Sequence, residues 1–223
     1  NVMQMWRLLL FFISCCITPA YLSAQSFDWS KSFGSSASEY CRDLAVDSQG
    51  HVFTSGNFTG TVDFDPGVGV VNLTALGASD CYIQHLDDQG NLVWVKALQS
   101  VNVMNGRGID TDTNGNIYCT GNFSGTVDFD PGPGTFNLVS NSSNFADFFV
   151  LKLDQAGNFL WAKSFGGIYS DNAMDLVVDH QQNVLITGAF ADTVDFDPGP
   201  GTFELSGISS AMLSFTSIPW FSI

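Results

Sequence analysis

Seven residues, Thr61-Val-Asp-Phe-Asp-Pro-Gly67, recur unchanged from Thr126 to Gly132 and from Thr193 to Gly199, at spacings of 65 and 67 residues. Two further markers keep the same phase. Trp29, Trp94 and Trp161 each stand 18 residues before Asp47, Asp112 and Asp179, which in turn stand 16 before Asp63, Asp128 and Asp195. A chain that repeats one unit must build one supersecondary structure several times over, so the fold is an array and not a single irregular domain. The two extra residues of the second interval fall near Asn141-Ser142, in a loop where insertions are tolerated.

Within a unit, four apolar stretches alternate with turn signals. Leu44-Ala-Val46 runs into Asp47-Ser-Gln-Gly50 and on to His51–Phe58; Cys81–Leu86 runs into Asp87-Asp-Gln-Gly90 and on to Asn91–Leu98. The second unit repeats this with Asp112-Thr-Asn-Gly115 and Asp154-Gln-Ala-Gly157. Asp-x-x-Gly between two β-rich runs marks a hairpin, because Asp bonds its own backbone and Gly accepts positive φ. Each unit therefore reads as two hairpins, or four strands. Of the 22 acidic residues only Glu39 and Glu204 are glutamates, a bias toward turns over helices that the 22 glycines share. Four antiparallel strands in a unit of this length describe the blade of a β-propeller. The fold class is all-β: tandem propeller-like blades, with units near 28–98, 99–165 and 166–206 in a repeat region spanning 25–206.

The segment from Leu44 to Gly56, continuing into Asn57-Phe58, resembles the seven-bladed β-propeller repeat family, SBBP, and the resemblance covers nearly all of residues 28–205. It implies an exported or cell-surface protein, bacterial in character, with no defined activity and no catalytic residues to carry over.

Both ends depart from the repeat. Residues 1–24 combine Arg7, the apolar run Leu8–Ile13 and small residues up to Ala24, with no acid before Asp28; this is a secretory signal, cleaved after Ala24. A lipoprotein-type cut before Cys15 is disfavoured by Phe12, where Leu is usual. Asn1-Val2 precede the first start residue, Met3, and read as untranslated. After Leu205 the chain lacks a counterpart of Asp147–Lys152, and residues 207–223 form an uncharged, off-pattern tail, as a truncation or frameshift would leave. The expected product is an incomplete propeller, an open arc of two to three blades. Its unclosed faces would favour self-association. Phe27–Phe33 matches a fourth strand without its three predecessors, the position of a strand that completes the last blade of a closed ring.

The formal charge of −15 repels phosphate backbones and anionic lipid, so neither nucleic acid nor membrane insertion of the mature chain is expected. Asp63 and Asp65, Asp128 and Asp130, and Asp195 and Asp197 are the candidate metal ligands, since Asp-x-Asp opens many calcium loops. The later ligand positions fail, holding Gly67 and Thr74 where oxygen ligands belong. Capping of the Pro-Gly turn is the preferred reading, and no cofactor is expected. Acids that recur in every unit argue against catalysis, which needs its acid and base in unlike environments. The unit-specific Asp110, aligned with Ala45 and Val177, has no evident partner in the sequence. Trp29, Trp94 and Trp161, each followed two residues on by Lys, are assigned to blade-to-blade packing, and Gly56, Gly121 and Gly188 are structural positions of the repeat. His51, His85 and His180 are expected to face solvent. Cys41, Cys81 and Cys119 occupy non-equivalent places and read as small apolar filler. The four formal glycosylation acceptors, at Asn57, Asn72, Asn122 and Asn141, are not expected to carry glycans. The function expected is a noncatalytic, secreted or surface-displayed scaffold or recognition module for protein or glycan. The alternatives are a hydrolase or lyase with its site over the axial opening, and a calcium-stabilised repeat protein.

Overall fold

A computed structural model describes residues 28–207 and, as backbone only, Met212–Ile218. The signal-peptide reading of residues 1–24 lies outside the described residues.

The first unit contains β1 (Glu39–Val46), β2 (Val52–Phe58), β3 (Thr61–Asp63), β4 (Asn72–Thr74), β5 (Asp80–Leu86) and β6 (Leu92–Leu98). Four of these strands form an antiparallel sheet in the order β1-β2-β5-β6, and β3 pairs with β4 in a separate hairpin. The second unit repeats the plan with β7 (Met104–Thr111), β8 (Ile117–Phe123), β9 (Thr126–Asp128), β10 (Asn137–Val139), β11 (Asp147–Leu153) and β12 (Phe159–Phe165). The third has β13 (Asn172–Val178), β14 (Val184–Phe190), β15 (Thr193–Asp195), β16 (Glu204–Ser206) and β17 (Met212–Ile218), with sheet order β13-β14-β17. The three sheets stack side by side, with β7 packed between β1 and β13. The all-β, open propeller-like arrangement read from the sequence is the one observed.

Three details differ from the sequence reading. The repeated Thr-Val-Asp-Phe-Asp segment is a short strand of a second, inserted hairpin, not only a loop, so a complete unit holds six strands. Trp29 lies in a segment, 28–33, that carries no strand assignment. The off-pattern tail contributes β17, which pairs with β14 from Val184↔Ile218 to Phe190↔Met212, in the place β5 and β11 take in their own sheets. A free sheet edge offers a full row of donors and acceptors, and the proline-free run Met212–Ile218 satisfies it without repeating the earlier sequence.

The Asp-x-x-Gly turns share one circuit. In the first, the Asp47 Oδ1 accepts from the backbone N–H of Gln49 at 2.8 Å and of His51 at 2.9 Å. The same two bonds recur at Asp87, Asp112, Asp154 and Asp179. Two of the closing glycines have a second duty. Gly90 and Gly157 have φ of +75° and +78°, and a Cβ on them would meet the indoles of Trp29 and Trp94 at 2.9 and 3.1 Å. The third unit places Gln182 at φ 66° where the others have Gly. A side chain in that region costs about 1 kcal/mol. Gln182→Gly should therefore raise stability by about 0.5–1 kcal/mol, read as a higher urea midpoint at unchanged slope.

The core lies between blades. Phe53, Ile83 and Leu98 of the first sheet pack against Ile117, Phe123 and Phe149 of the second, and a matching cluster joins the second to the third. The inserted hairpins of the second and third units plug these layers, and that of the first packs with Phe58, Tyr82 and Phe33 on the other side of its own blade; Val62 and Phe64, with their counterparts at 127, 129, 194 and 196, are no more than 5% exposed. Full burial of each such Phe contributes roughly 1.5–3 kcal/mol.

Candidate functional site

Each inner strand carries a β-bulge: the register slips between Cys41 and Asp43 on β1, between Gly106 and Ile109 on β7, and between Ala173 and Asp175 on β13. The bulges aim acidic side chains across to the next blade. The Asp43 Oδ2 accepts from the Ile109 N–H at 2.8 Å, and the Asp110 Oδ2 accepts from the Val178 N–H at 2.7 Å. Asp110 thus has a partner that the sequence did not show, a backbone amide of the following blade. Asp175, close to Asp43 and Asp110, has its carboxyl raised, first by burial and then by those two charges.

Beside these strands the first turns of the three blades, with Gln155 from the second turn of the second blade, enclose a cleft of about 370 Å³. Its walls include Gln49, Asp110, Thr113, Asn114, Gln155 and His180. The acids in it are already engaged. The second oxygen of Asp110 accepts from the Thr111 N–H at 2.8 Å. The Asp112 Oδ2 takes the Asn116 amide at 2.8 Å, the Tyr118 hydroxyl at 3.1 Å and the Lys152 ammonium at 3.4 Å. Burial alone would raise the Asp112 carboxyl, but the donors around it hold it below the ordinary carboxylate range. Asp179 is likewise lowered, chiefly by the Asn183 side chain.

The six aspartates named as candidate calcium ligands, Asp63, Asp65, Asp128, Asp130, Asp195 and Asp197, hold the inserted hairpins. In the first unit the Asp63 Oδ1 accepts from the Asp65 N–H at 3.0 Å and the Val71 N–H at 2.9 Å, and the Asp65 Oδ1 accepts from the Gly67 N–H at 2.7 Å. In the second, Asp128 takes the N–H groups of Asp130 and Phe136, and Asp130 takes that of Gly132. In the third, the Asp195 Oδ1 accepts from the Asp197 N–H at 3.0 Å and the Phe203 N–H at 2.8 Å, and the Asp197 Oδ1 accepts from the Gly199 N–H at 2.6 Å. These contacts are the turn capping that the sequence reading preferred for all six. One oxygen of each carboxylate is spent on main-chain N–H groups of its own loop. Among the described residues no three His, Cys, Asp or Glu side chains converge as a metal site.

The indole N–H of Trp29 donates to the Asp88 carbonyl at 2.9 Å, and that of Trp94 donates to the equivalent Gln155 carbonyl of the next blade at 3.1 Å. The segment 28–33 therefore sits on the first blade as β6 sits on the second. Phe33 packs on Phe64 and Tyr82, with ring centroids 5.2 and 5.8 Å apart.

One expectation about histidines is overturned. His85 is 3% exposed, stacked on Phe53 at 4.3 Å and beside His51 at 5.0 Å, with neither ring nitrogen bonded. The run Cys81–Leu86 is buried on both faces, by the second blade on the side of Cys81 and Ile83 and by the inserted hairpin and Phe33 on the side of Tyr82, so even a polar residue on it is interior. Burial, reinforced by His51, lowers the His85 imidazole to about 4.

Sequence reading also passed over the buried acids that open β5 and β11. The Asp80 carboxylate caps Leu76 N–H at 2.6 Å and Ser100 N–H at 3.0 Å. Its counterpart Asp147 keeps only the Asn141 donors, because the Gly167 N–H turns to Asp171 at 2.7 Å. One Asp147 oxygen is left buried and unpaired, and desolvation raises this carboxyl to about 6. The signal was available: Asp80 and Asp147 occupy one repeat position.

A family model described as Beta-propeller repeat, SBBP, matches residues 100–122, the span of β7, its turn and most of β8. An uncharacterised WD repeat-containing protein of Acanthamoeba polyphaga mimivirus is 28% identical over 116 residues, a match covering 46% of this chain and 8% of that protein. The chain thus spans under a tenth of that relative. The stretch that matches the Beta-propeller repeat model thus lies on the central of three stacked antiparallel sheets built to one plan.

Proposed function

We propose that this chain is a noncatalytic recognition module, exported or displayed at a cell surface, that seats a protein or glycan ligand over the axial cleft. The observation that carries the reading is the state of the cleft's acids: Asp110 and Asp112 each have both oxygens occupied by donors of the fold. A hydrolase needs one carboxyl free to move a proton and a second free to activate water or attack. What the cleft presents to a ligand is amide and hydroxyl groups from Gln49, Thr113, Asn114 and Gln155, which suit sugar hydroxyls or peptide backbone.

The test is a glycan array and a displayed peptide library, each probed with the full chain and with Asn114→Lys, a cleft variant outside the core. Binding to one probe class, weakened at least about tenfold by Asn114→Lys at unchanged melting temperature, is the expected result. Turnover of any bound glycan or peptide, or binding indifferent to Asn114→Lys, would overturn the reading.

A further inference from the structure

Cys81 lies on β5 of the first blade and Cys119 on β8 of the second; they are 0% and 1% exposed and share one core cluster. Both thiols lie in the layer between the first and second blades. Each also reaches its own strand's following carbonyl, at 3.7 Å, so neither sulfur is tied down by a strong partner. The next interface shows that these two repeat positions face one another: there they hold Phe148 and Ile186, which are buried in one cluster and line one small gap. Only the first interface has sulfur on both sides. The second blade also comes up to Cys81 with bare backbone, since a Cβ on Gly106 would stand 2.8 Å from the Cys81 Sγ.

We infer that Cys81 and Cys119 are an interblade redox pair, joined as a disulfide when the chain folds in the presence of a small-molecule disulfide such as glutathione disulfide. The thiolate of one cysteine attacks the oxidant's S–S bond and releases one thiol. The second cysteine then attacks the mixed disulfide and releases the other. Two protein thiols lose two protons and two electrons in forming one S–S bond, and the oxidant gains them as two thiols. Timing follows from burial. In the folded chain both sulfurs are sealed, and the neighbouring Cys119 thiol together with burial raises the Cys81 thiol, so exchange proceeds only while the interface is open. Once closed, the same layer shields the bond from reductant. Cys41, which is exposed, stays outside the pair.

The full chain, unfolded and reduced, is refolded in a glutathione redox buffer, alkylated in denaturant and digested with trypsin without reduction. Cuts after Arg7, Lys31, Arg42, Lys96, Arg107 and Lys152 place Cys15 and Cys16, Cys41, Cys81 and Cys119 on four separate peptides. The expected product is a linked species joining residues 43–96 to 108–152, at least about tenfold more abundant than when the same buffer is added to protein already folded. Mass spectrometry reads this directly, so the result does not depend on whether Cys119→Ala, the control that must abolish it, folds. Recovery of Cys81 and Cys119 both alkylated after oxidative refolding, or linkage of Cys81 mainly to Cys41, would overturn the pairing. Equal yield from folded and refolding protein would overturn the sealing.

Discussion

Gly121→Ala is expected to lower stability by about 3–5 kcal/mol, a loss large enough to leave the second blade unfolded in a marginal fold. The added Cβ would lie 1.9 Å from the Asn105 carbonyl oxygen and 2.9 Å from the Phe149 ring. No side-chain rotation relieves the first contact, because the obstacle is backbone turned inward by the bulge on β7. Nor can β8 shift away, since it is paired with β7 on one side and β11 on the other. The counterparts Gly56 and Gly188 face the Tyr40 and Asn172 carbonyls at 1.8 and 2.2 Å, so the bulge and the glycine recur together in every unit of this chain. Gly132→Ala supplies the contrast: its Cβ would meet only the Asp130 side chain, at 3.0 Å, and the cost should stay near or below about 1 kcal/mol. Urea denaturation of both variants, with slopes compared, checks the difference. A Gly121→Ala protein within about 1 kcal/mol of the parent would mean that the bulge relaxes freely.

The second large effect is hidden in the parent chain and emerges when one of two buried groups is removed. His85 titrates near 4 in the folded chain against about 6.5 unfolded, so between those values the unfolded chain binds more protons, and stability falls as pH falls. Asp147 titrates near 6 folded against 3.8 unfolded, so the folded chain binds more protons over that window, and stability rises as pH falls. Between about pH 4.5 and 7 the two slopes oppose each other, each on the order of 2 kcal/mol. His85→Phe should leave a protein that becomes more stable on acidification over this range. Asp147→Asn should leave one that becomes less stable. The turn aspartates lowered by their caps, Asp87, Asp112, Asp154 and Asp179, titrate below this window and do not alter the signs, whereas Asp171 and Asp175, raised by burial, act with Asp147 and make the Asp147→Asn slope the shallower of the two. Melting temperatures at about pH 4.5, 5.5 and 7 decide the matter; parallel profiles for the two variants would refute the assignment.

The parts of the fold that were legible are those in which one physical cause acts alone. The Asp-x-x-Gly turns are local, with bonds spanning two and four residues, and all of those quoted from the sequence form. The long strands were visible as apolar runs, and the phase of the Trp and Asp markers located the blades. The inserted hairpin was hidden because its strands are three residues each, separated by the loop that runs from Asp63 to Asn72. No periodicity can be measured in so short a run. His85 was misplaced for another reason. Alternation distinguishes inside from outside only when one face of a sheet is wet, and β5 has none. Asp110 was legible as unusual, but its partner is a main-chain amide 68 residues away, which carries no side-chain signature.

The tryptophan contact between blades has a donor side and an acceptor side that are different surfaces: an indole on one, a turn carbonyl and its glycine on the other. Such a junction is heterologous, so a two-fold axis cannot generate it. Any further blade that joins by this contact, from this chain or another, must repeat the same rotation in the same direction, and the product either closes on itself as a ring or runs on as a helix.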